Sequence, residues 1–318
     1  MREAVDTLDE NLRLPASYHL GWCDRDGNPT DADAGKGVRG ALTVLGAEAV
    51  GGDARVAIPG AVAVELIHNF SLIHDDIMDN DRTRRHRPTV WDVFGVGDAI
   101  IAGDALHVLA FEVLLGRAVD PRSMAASARL GRATSAMIAG QAQDVALDRG
   151  DDATLAECIA MEANKTGALL AQSVAIGGVL GGGTDDQVDA LERFGMAVGI
   201  AFQAVDDVLG IWGDPAKTGK PVGNDLREQK KSMPIALAFE LGGQLEASVR
   251  AMFSSGATDA SVAALTVELE AAGIRDAVDA IAADHLQQAL AALDDAGLAG
   301  DPHAELVDLA HFVTSRSG

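Results

Sequence analysis

Apolar residues recur along this chain at three- and four-residue spacing, in alanine-rich stretches, and no run alternates with a period of two. That regularity argues against a sheet-based core. It predicts helix over 58–78, 98–115, 123–147, 155–180, 186–212, 231–240, 260–272, 274–293 and 304–314. Clusters of Gly and Pro punctuate the stretches: GGDARVAIPG, VDPRS, GGGTDD and GDPAKTGKPVG. No repeat of 20–50 residues is visible and no linker is biased enough to split the chain. The expected architecture is all-α: residues 1–318 as one domain, an antiparallel helical bundle of roughly ten or more helices.

Composition limits what such a bundle does. The hydrophobic fraction of 48% is enough for a sizeable core. A formal net charge of −23 repels nucleic acid and anionic lipid head groups, so no nucleic-acid partner is expected. The six lysines are Lys36, Lys165, Lys217, Lys220, Lys230 and Lys231, and all fall in segments with phosphate-binding character. Cys23 and Cys158 lack metal-ligand spacing and fit a reducing, cytoplasmic setting. The amino-terminal stretch is polar and acidic, unlike a signal peptide. The most apolar run, Gly167 to Gly183, is too short and Gly-rich for a transmembrane segment.

The most informative stretch is ELIHNFSLIHDDIMDNDRTRRHRPT. On a helix at ~100° per residue, His68, Ser71, Asp75 and Asp79 share one stripe, with Asp76 at its edge. Three carboxylates so close repel one another, and they lie at the helix end whose dipole favours cations. A hard divalent cation answers both problems. Mg²⁺ takes one or two carboxylates and completes its shell with phosphate and water. Arg82, Arg84, Arg85 and Arg87 follow at once, and guanidinium forks match phosphate oxygens in pairs. An isolated basic run is usually only a solvated face; beside an acidic cluster it reads as a diphosphate site.

A second block, AFQAVDDVLGIWGDPAKTGKPVGNDLREQKKSMPI, places Gln203, Asp206, Asp207 and Gly210 on one helical face. A Gly- and Pro-rich loop with Lys217 and Lys220 comes next, a common phosphate cradle. Upstream, Lys36 and Arg39 stand three apart at a loop-to-helix junction where Gly35 and Gly37 permit close backbone approach. GQAQD (140–144) and NKTG (164–167) put polar groups inside apolar stretches, where a satisfied core polar residue is the ordinary reading.

These motifs, in this order, resemble the trans-isoprenyl diphosphate synthases, the polyprenyl synthetase family. The likeness runs from about Gly35 to Pro234, and YHLGW with DDVLGIWGDP is similar to the branch common in actinobacteria, including its geranylgeranyl diphosphate synthases. The resemblance implies the isoprenoid synthase bundle with a central cavity, Mg²⁺ as cofactor, and a homodimer. It implies isopentenyl diphosphate on Lys36, Arg39, His68 and Arg85, and the allylic diphosphate (dimethylallyl, geranyl or farnesyl) on Arg84. Asp75, Asp76 and Asp79, with Asp206 and Asp207, become implied metal ligands. Lys165, Thr166, Gln203 and Lys220 are implied to line the reacting centre, with Lys230 near the same phosphates.

One departure stands out. The family pattern has a third Asp in the second motif where this chain has Gly210, and Asp214, a turn further on, is a candidate substitute. The implied reaction is ionisation of the allylic diphosphate and attack by isopentenyl diphosphate, with the released diphosphate as base. Chain length is a steric matter: small Ser71 leaves room beneath Asp75, and bulky Phe70 is the expected floor. A lone aromatic there resembles the twenty-carbon, geranylgeranyl-forming members. Two rival readings are a terpene cyclase and a non-catalytic regulatory subunit of a heteromeric synthase. The low aromatic content of 4% and the intact second-substrate residues speak against the first. The intact first acidic motif speaks against the second.

Overall fold

A computed structural model describes residues 1–30, 32, 35–116, 120–150, 152–215, 221–298 and 300–314. Lys217 and Lys220 lie outside them. The helices are α1 (Arg2–Val5), α2 (Glu10–His19), α3 (Val38–Ala49), α4 (Ala54–Met78), α5 (Val90–Phe94), α6 (Val96–Leu115), α7 (Pro121–Arg149) and α8 (Leu155–Glu162). A π-helical turn (Ala163–Gly167) leads into α9 (Ala168–Gly181), followed by α10 (Asp185–Trp212) and α11 (Asn224–Arg227). Then come α12 (Met233–Leu241), α13 (Gly243–Ser255), α14 (Asp259–Ala271), α15 (Ile274–Asp295) and α16 (Asp301–Thr314). Each stretch with the three-four pattern is helical. The two-residue strands β1 (Thr83–Arg84) and β2 (Arg87–Pro88) pair antiparallel, a feature too short to leave a periodic trace.

Starts are set locally. Asp53 accepts from the Arg55 N–H at the head of α4, and Thr154 with Glu157 forms a reciprocal capping box on α8.

The chain divides into two compact units: Met1–Gly131 with Ser173–Val188, and Arg132–Gln172 with Asp189–Gly318. The helices α7, α9 and α10 each contribute residues to both. In the first unit α4 packs against α3 and α6, around fully buried Leu42, Leu66, Ile67 and Leu106. Each such side chain contributes about 1.5–3 kcal/mol of hydrophobic stabilisation. The later part of α9 lies directly on α3: a Cβ at Gly177 would stand 1.9 Å from the Thr43 carbonyl oxygen, so only glycine permits the approach. In the second unit Ile211, Leu226, Ile235, Val249 and Leu269 form one core cluster.

By length and hydropathy α4 and α10 could each cross a membrane, but 50% and 61% of their most apolar windows are buried within the protein. Both end in an acidic motif, which suits a core helix presenting charge at its tip and not a lipid-facing span.

Candidate active site

The first acidic motif closes α4. Asp75 is partly exposed and Asp79, the residue that ends the helix, is exposed. Asp76 is only 1% exposed, and its Oδ1 accepts from Arg84 Nε at 2.6 Å. Burial pushes the Asp76 carboxyl up to about 6 against the pull of Arg84. Asp76, expected as a metal ligand, engages Arg84 through Oδ1, while its Oδ2 is shielded without a hydrogen-bond partner among the described residues.

The four arginines of the basic run part company. Arg87 donates to the Tyr18 and Cys23 carbonyls and stacks on the Tyr18 ring, which fastens the amino-terminal segment to the hairpin. Arg82 pairs with Asp92 and lies over Trp91. Arg84 and Arg85 line a small open recess together with Tyr18, His19 and Asp76. Arg85 and His86 form the hairpin's bend with φ of 50° and 61°, the left-handed conformation a tight two-residue turn demands. Non-glycine residues held there cost free energy, and such strain is concentrated at functional positions.

The Lys36–Arg39 segment comes to the same place. A Cβ at Gly35 would lie 2.6 Å from Arg85 Nη2, so the glycine lets this backbone run against the guanidinium. Arg39 leads into α3, close to Glu65, and its Nε is shielded from solvent without an acceptor among the described residues. His68 is held well below its ordinary value by burial, Arg39 and Arg85, so it is a neutral imidazole.

His19 was not singled out from sequence. Its Nε2 is 3.1 Å from Asn69 Oδ1, while Asn69 Nδ2 donates to the Glu65 carbonyl. Asn69 therefore offers an acceptor, and the His19 Nε2 carries the proton. Burial and the charges of Arg85 and Arg84 push His19 down to about 3. A His and an Asn fifty residues apart, on different helices, leave no spacing signature.

Below Asp75, Ser71 hydroxyl donates to the His68 carbonyl. Phe70 is 6% exposed and stacks on His107 with ring centroids 4.8 Å apart; His74 meets it edge-on at 5.0 Å. His107 in turn meets Phe111 at 5.7 Å. Phe70, expected as a barrier, belongs to an aromatic group shared by α4 and α6.

The second unit holds the other motif. Lys165 sits in the π-helical turn and pairs with Asp144; Asn164 donates to Gln143. A Cβ at Gly140 would lie 2.3 Å from the Lys165 amide nitrogen, so Gly140 makes room for the turn. Thr166 lies in the same turn. Glu162 is 7% exposed; burial pushes it up to about 7, and Gln203 hydrogen-bonds to its carboxylate. Its Oε2, like both amide atoms of Gln141, is shielded without a partner among the described residues. Gln141 is therefore not the satisfied core residue that the sequence suggested. Asp206 is partly exposed, whereas Asp207 is buried and accepts from the Met233 N–H at 2.8 Å. Burial and Glu162 hold Asp207 well above the carboxylate range. Asp207, expected as a metal ligand, also holds the start of α12 through one of its oxygens. Lys230 lies 3.7 Å from Glu228, and Lys231 is 9% exposed with its ammonium over the Phe253 ring.

Among the described residues no three Asp, Glu, His or Cys side chains converge enough to hold a metal alone. The donor set is nonetheless all-oxygen, as Mg²⁺ requires, and Mg²⁺ draws much of its shell from substrate phosphate and water. The residues fit an ion that arrives with a diphosphate.

The sequence matches the family described as Polyprenyl synthetase over residues 29–269. The chain belongs to the polyprenyl synthetase family. It is 44% identical over 99% of its length to a (2E,6E)-farnesyl diphosphate synthase of Mycobacterium bovis, covering 89% of that protein. It is 41% identical over 93% of its length to a geranylgeranyl diphosphate synthase of Mycobacterium tuberculosis, covering 85%. The crystal structure of a polyprenyl synthetase from Streptomyces coelicolor superposes with a TM-score of 0.93 at 45% identity, covering 98% of this chain and 94% of that one. As a member of the polyprenyl synthetase family the chain has the all-α isoprenoid synthase fold and is a short-chain trans-prenyltransferase.

Proposed function

We propose that the chain, working as one catalytic domain over 1–318, condenses isopentenyl diphosphate with an allylic diphosphate and stops at geranylgeranyl diphosphate. The observation that carries the two-substrate reading is the cationic recess of the first unit. Arg84, Arg85 and the neutral imidazole of His19 line it, Arg39 and neutral His68 lie within electrostatic reach, and Arg39 Nε has no acceptor among the described residues. A buried donor without a partner costs about 1–3 kcal/mol, which a bound anion removes. Lys36, Arg39, His68 and Arg85 are assigned to isopentenyl diphosphate. Arg84, aimed by Asp76, is assigned to the allylic diphosphate with Lys165, Lys220 and Lys230.

Mg²⁺, used by members of this family, is assigned to the two acidic motifs, Asp75, Asp76 and Asp79 in the first and Asp206 and Asp207 in the second. Bound with the diphosphate, it supplies Lewis acidity to the leaving group. Arg84 and Lys165 stabilise charge as it grows on the leaving oxygen. Thr166 and Gln203 hold polar contacts at the reacting centre. The isopentenyl double bond, fixed in place, attacks the allylic cation, and orientation lowers the entropic part of the barrier. The proton lost in the last step passes to the released diphosphate.

The twenty-carbon product is supported by the Phe70–His107 stack; the farnesyl-forming relative named above is the chief alternative. Incubation with isopentenyl diphosphate, Mg²⁺ and each short allylic diphosphate, read by mass spectrometry, tests the reading. Elongated prenyl diphosphates are expected, and cyclic hydrocarbon or silence overturns it. Phe70→Ala should shift the products to twenty-five carbons or more; an unchanged profile removes Phe70 from the floor.

A cytoplasmic homodimer completes the proposal. The face of α6 carrying Val96, Ile100, Ile101 and Val108 is exposed by 43–58%, a patch suited to a second copy. Light scattering should give twice the chain mass, and Ile101→Asp should halve it; a monomeric parent refutes the dimer.

A further inference from the structure

The bend that carries Arg85 is too short to hold its own shape. Its strands pair Thr83 with Pro88 and Arg84 with Arg87, two residues on each side. A lone hairpin is at best marginally stable in water. Arg85 and His86 take the left-handed conformation without being glycine, and such residues persist only where the surroundings over-determine them. The tolerance is also tight. The Arg85 guanidinium lies so near the Gly35 backbone that a Cβ there would stand 2.6 Å from Nη2.

Much of that external support comes from one turn of α2. Arg87 Nη1 donates to the Tyr18 carbonyl at 3.1 Å, and its guanidinium lies 4.3 Å from the centre of the Tyr18 ring. The Tyr18 hydroxyl donates in return to the Pro88 carbonyl at 2.9 Å. Tyr18 thus grips both residues of β2. It is itself fixed, being 6% exposed and edge-on to Phe94 at 5.3 Å. The next residue, His19, donates to Asn69 Oδ1 at 3.1 Å. Asn69 is 2% exposed and bonded to the Glu65 carbonyl, so the end of α2 is tied to the body of α4. Leu20, which caps α2, is fully buried. Consecutive residues therefore hold different things: Tyr18 the hairpin, His19 the neighbouring helix, Leu20 the core. Arg84 has a further holder, because Asp76 aims its side chain directly.

We infer that Tyr18 and His19 are positioning residues of the isopentenyl diphosphate site. Asn69 fixes His19, His19 fixes the end of α2, and Tyr18 sets the bend that presents Arg85. This rests on the assignment of Arg85 to isopentenyl diphosphate and deepens it. The site then depends on a helix that bears none of the acidic or basic motifs.

Isopentenyl diphosphate is titrated into the full-length protein in the presence of a chelator, so that no metal takes part, and binding is followed by calorimetry. Asn69→Leu removes the acceptor for His19 at a buried position that does not line the recess. It should raise Kd about tenfold, on the order of what a small misplacement costs, while circular dichroism stays as in the parent. In turnover, KM for isopentenyl diphosphate should rise by a similar factor and KM for the allylic diphosphate much less, because Arg84 keeps Asp76. A merely structural role would lower the melting temperature and leave both constants alone. Tyr18→Phe deletes only the bond to Pro88. It should raise Kd about threefold in the parent and not at all in Arg85→Ala, where no guanidinium is left to place. Asn69→Leu that binds as the parent does, equal rises in the two KM values, or a Tyr18→Phe effect of the same size in both backgrounds overturns the inference and leaves the site assignment standing. If Asn69→Leu does not fold, the Tyr18→Phe comparison decides alone. Arg85→Ala that binds as tightly as the parent, or a parent that binds nothing, sinks the site assignment and this inference together.

Discussion

Asp76 and Asp207 hold the same place in two similar acidic pairs, and both are turned inward, yet they grip different things. Asp76 meets a guanidinium, Arg84 Nε at 2.6 Å, and so aims a side chain that faces the recess. Asp207 meets a backbone N–H, that of Met233, and so fixes where a helix begins. Identical dipeptides thus separate into a device for holding a charge and a device for holding the fold. The more exposed partners, Asp75 and Asp206, are left as the outward-facing oxygens of each pair.

The comparison can be broken in three ways. The largest effect is expected at Asp76→Ala. It strands a partly buried arginine and releases its aim, and kcat/KM for the allylic substrate should fall on the order of a hundredfold. If steady-state rates move less than threefold (roughly, given the usual scatter of surface substitutions), Asp76 is not positioning Arg84. Next is Gly140→Ala, whose added methyl must push the Lys165 backbone. A tenfold loss of kcat, on the order of what a sub-ångström misplacement costs, with little change in KM checks it; an unaltered kcat shows the turn can yield. Smallest is Asp207→Ala, which leaves the Met233 N–H without its acceptor and should cost about 1–2 kcal/mol in urea unfolding. Asp207→Asn keeps an acceptor and should recover most of that. A destabilisation equal in both would mean that charge, not the hydrogen bond, is what the site uses.

Much of this was legible in the sequence because helices announce themselves by period. The long helices from α4 to α10 follow the three-four spacing of their apolar residues, and the DDxxD run sits on the predicted stripe. What the sequence hid was whatever depends on contact between distant segments. His19 joins the recess through Asn69 on α4, and His107 backs Phe70 from α6. The π-helical turn at Ala163–Gly167 needs the gap at Gly140 on a neighbouring helix. The hairpin at 83–88 is two residues deep, so no alternation marks it, and Arg85 and His86 are not residues that signal a left-handed turn. In the arginine run composition gave four equal candidates and the family resemblance picked Arg84 and Arg85; the carbonyls that Arg87 reaches and the Asp92 that Arg82 meets show what the other two hold.

The clasp of Arg87 on the Tyr18 and Cys23 carbonyls reaches ahead of the stretch that the family model matches. The match to the family model begins at residue 29, but one wall of the recess is built from Tyr18 and His19. A shortened version cut to that stretch would keep every signature motif and forfeit part of the wall of this recess. Anyone trimming this enzyme for crystallisation, fusion or display should start the cut ahead of α2.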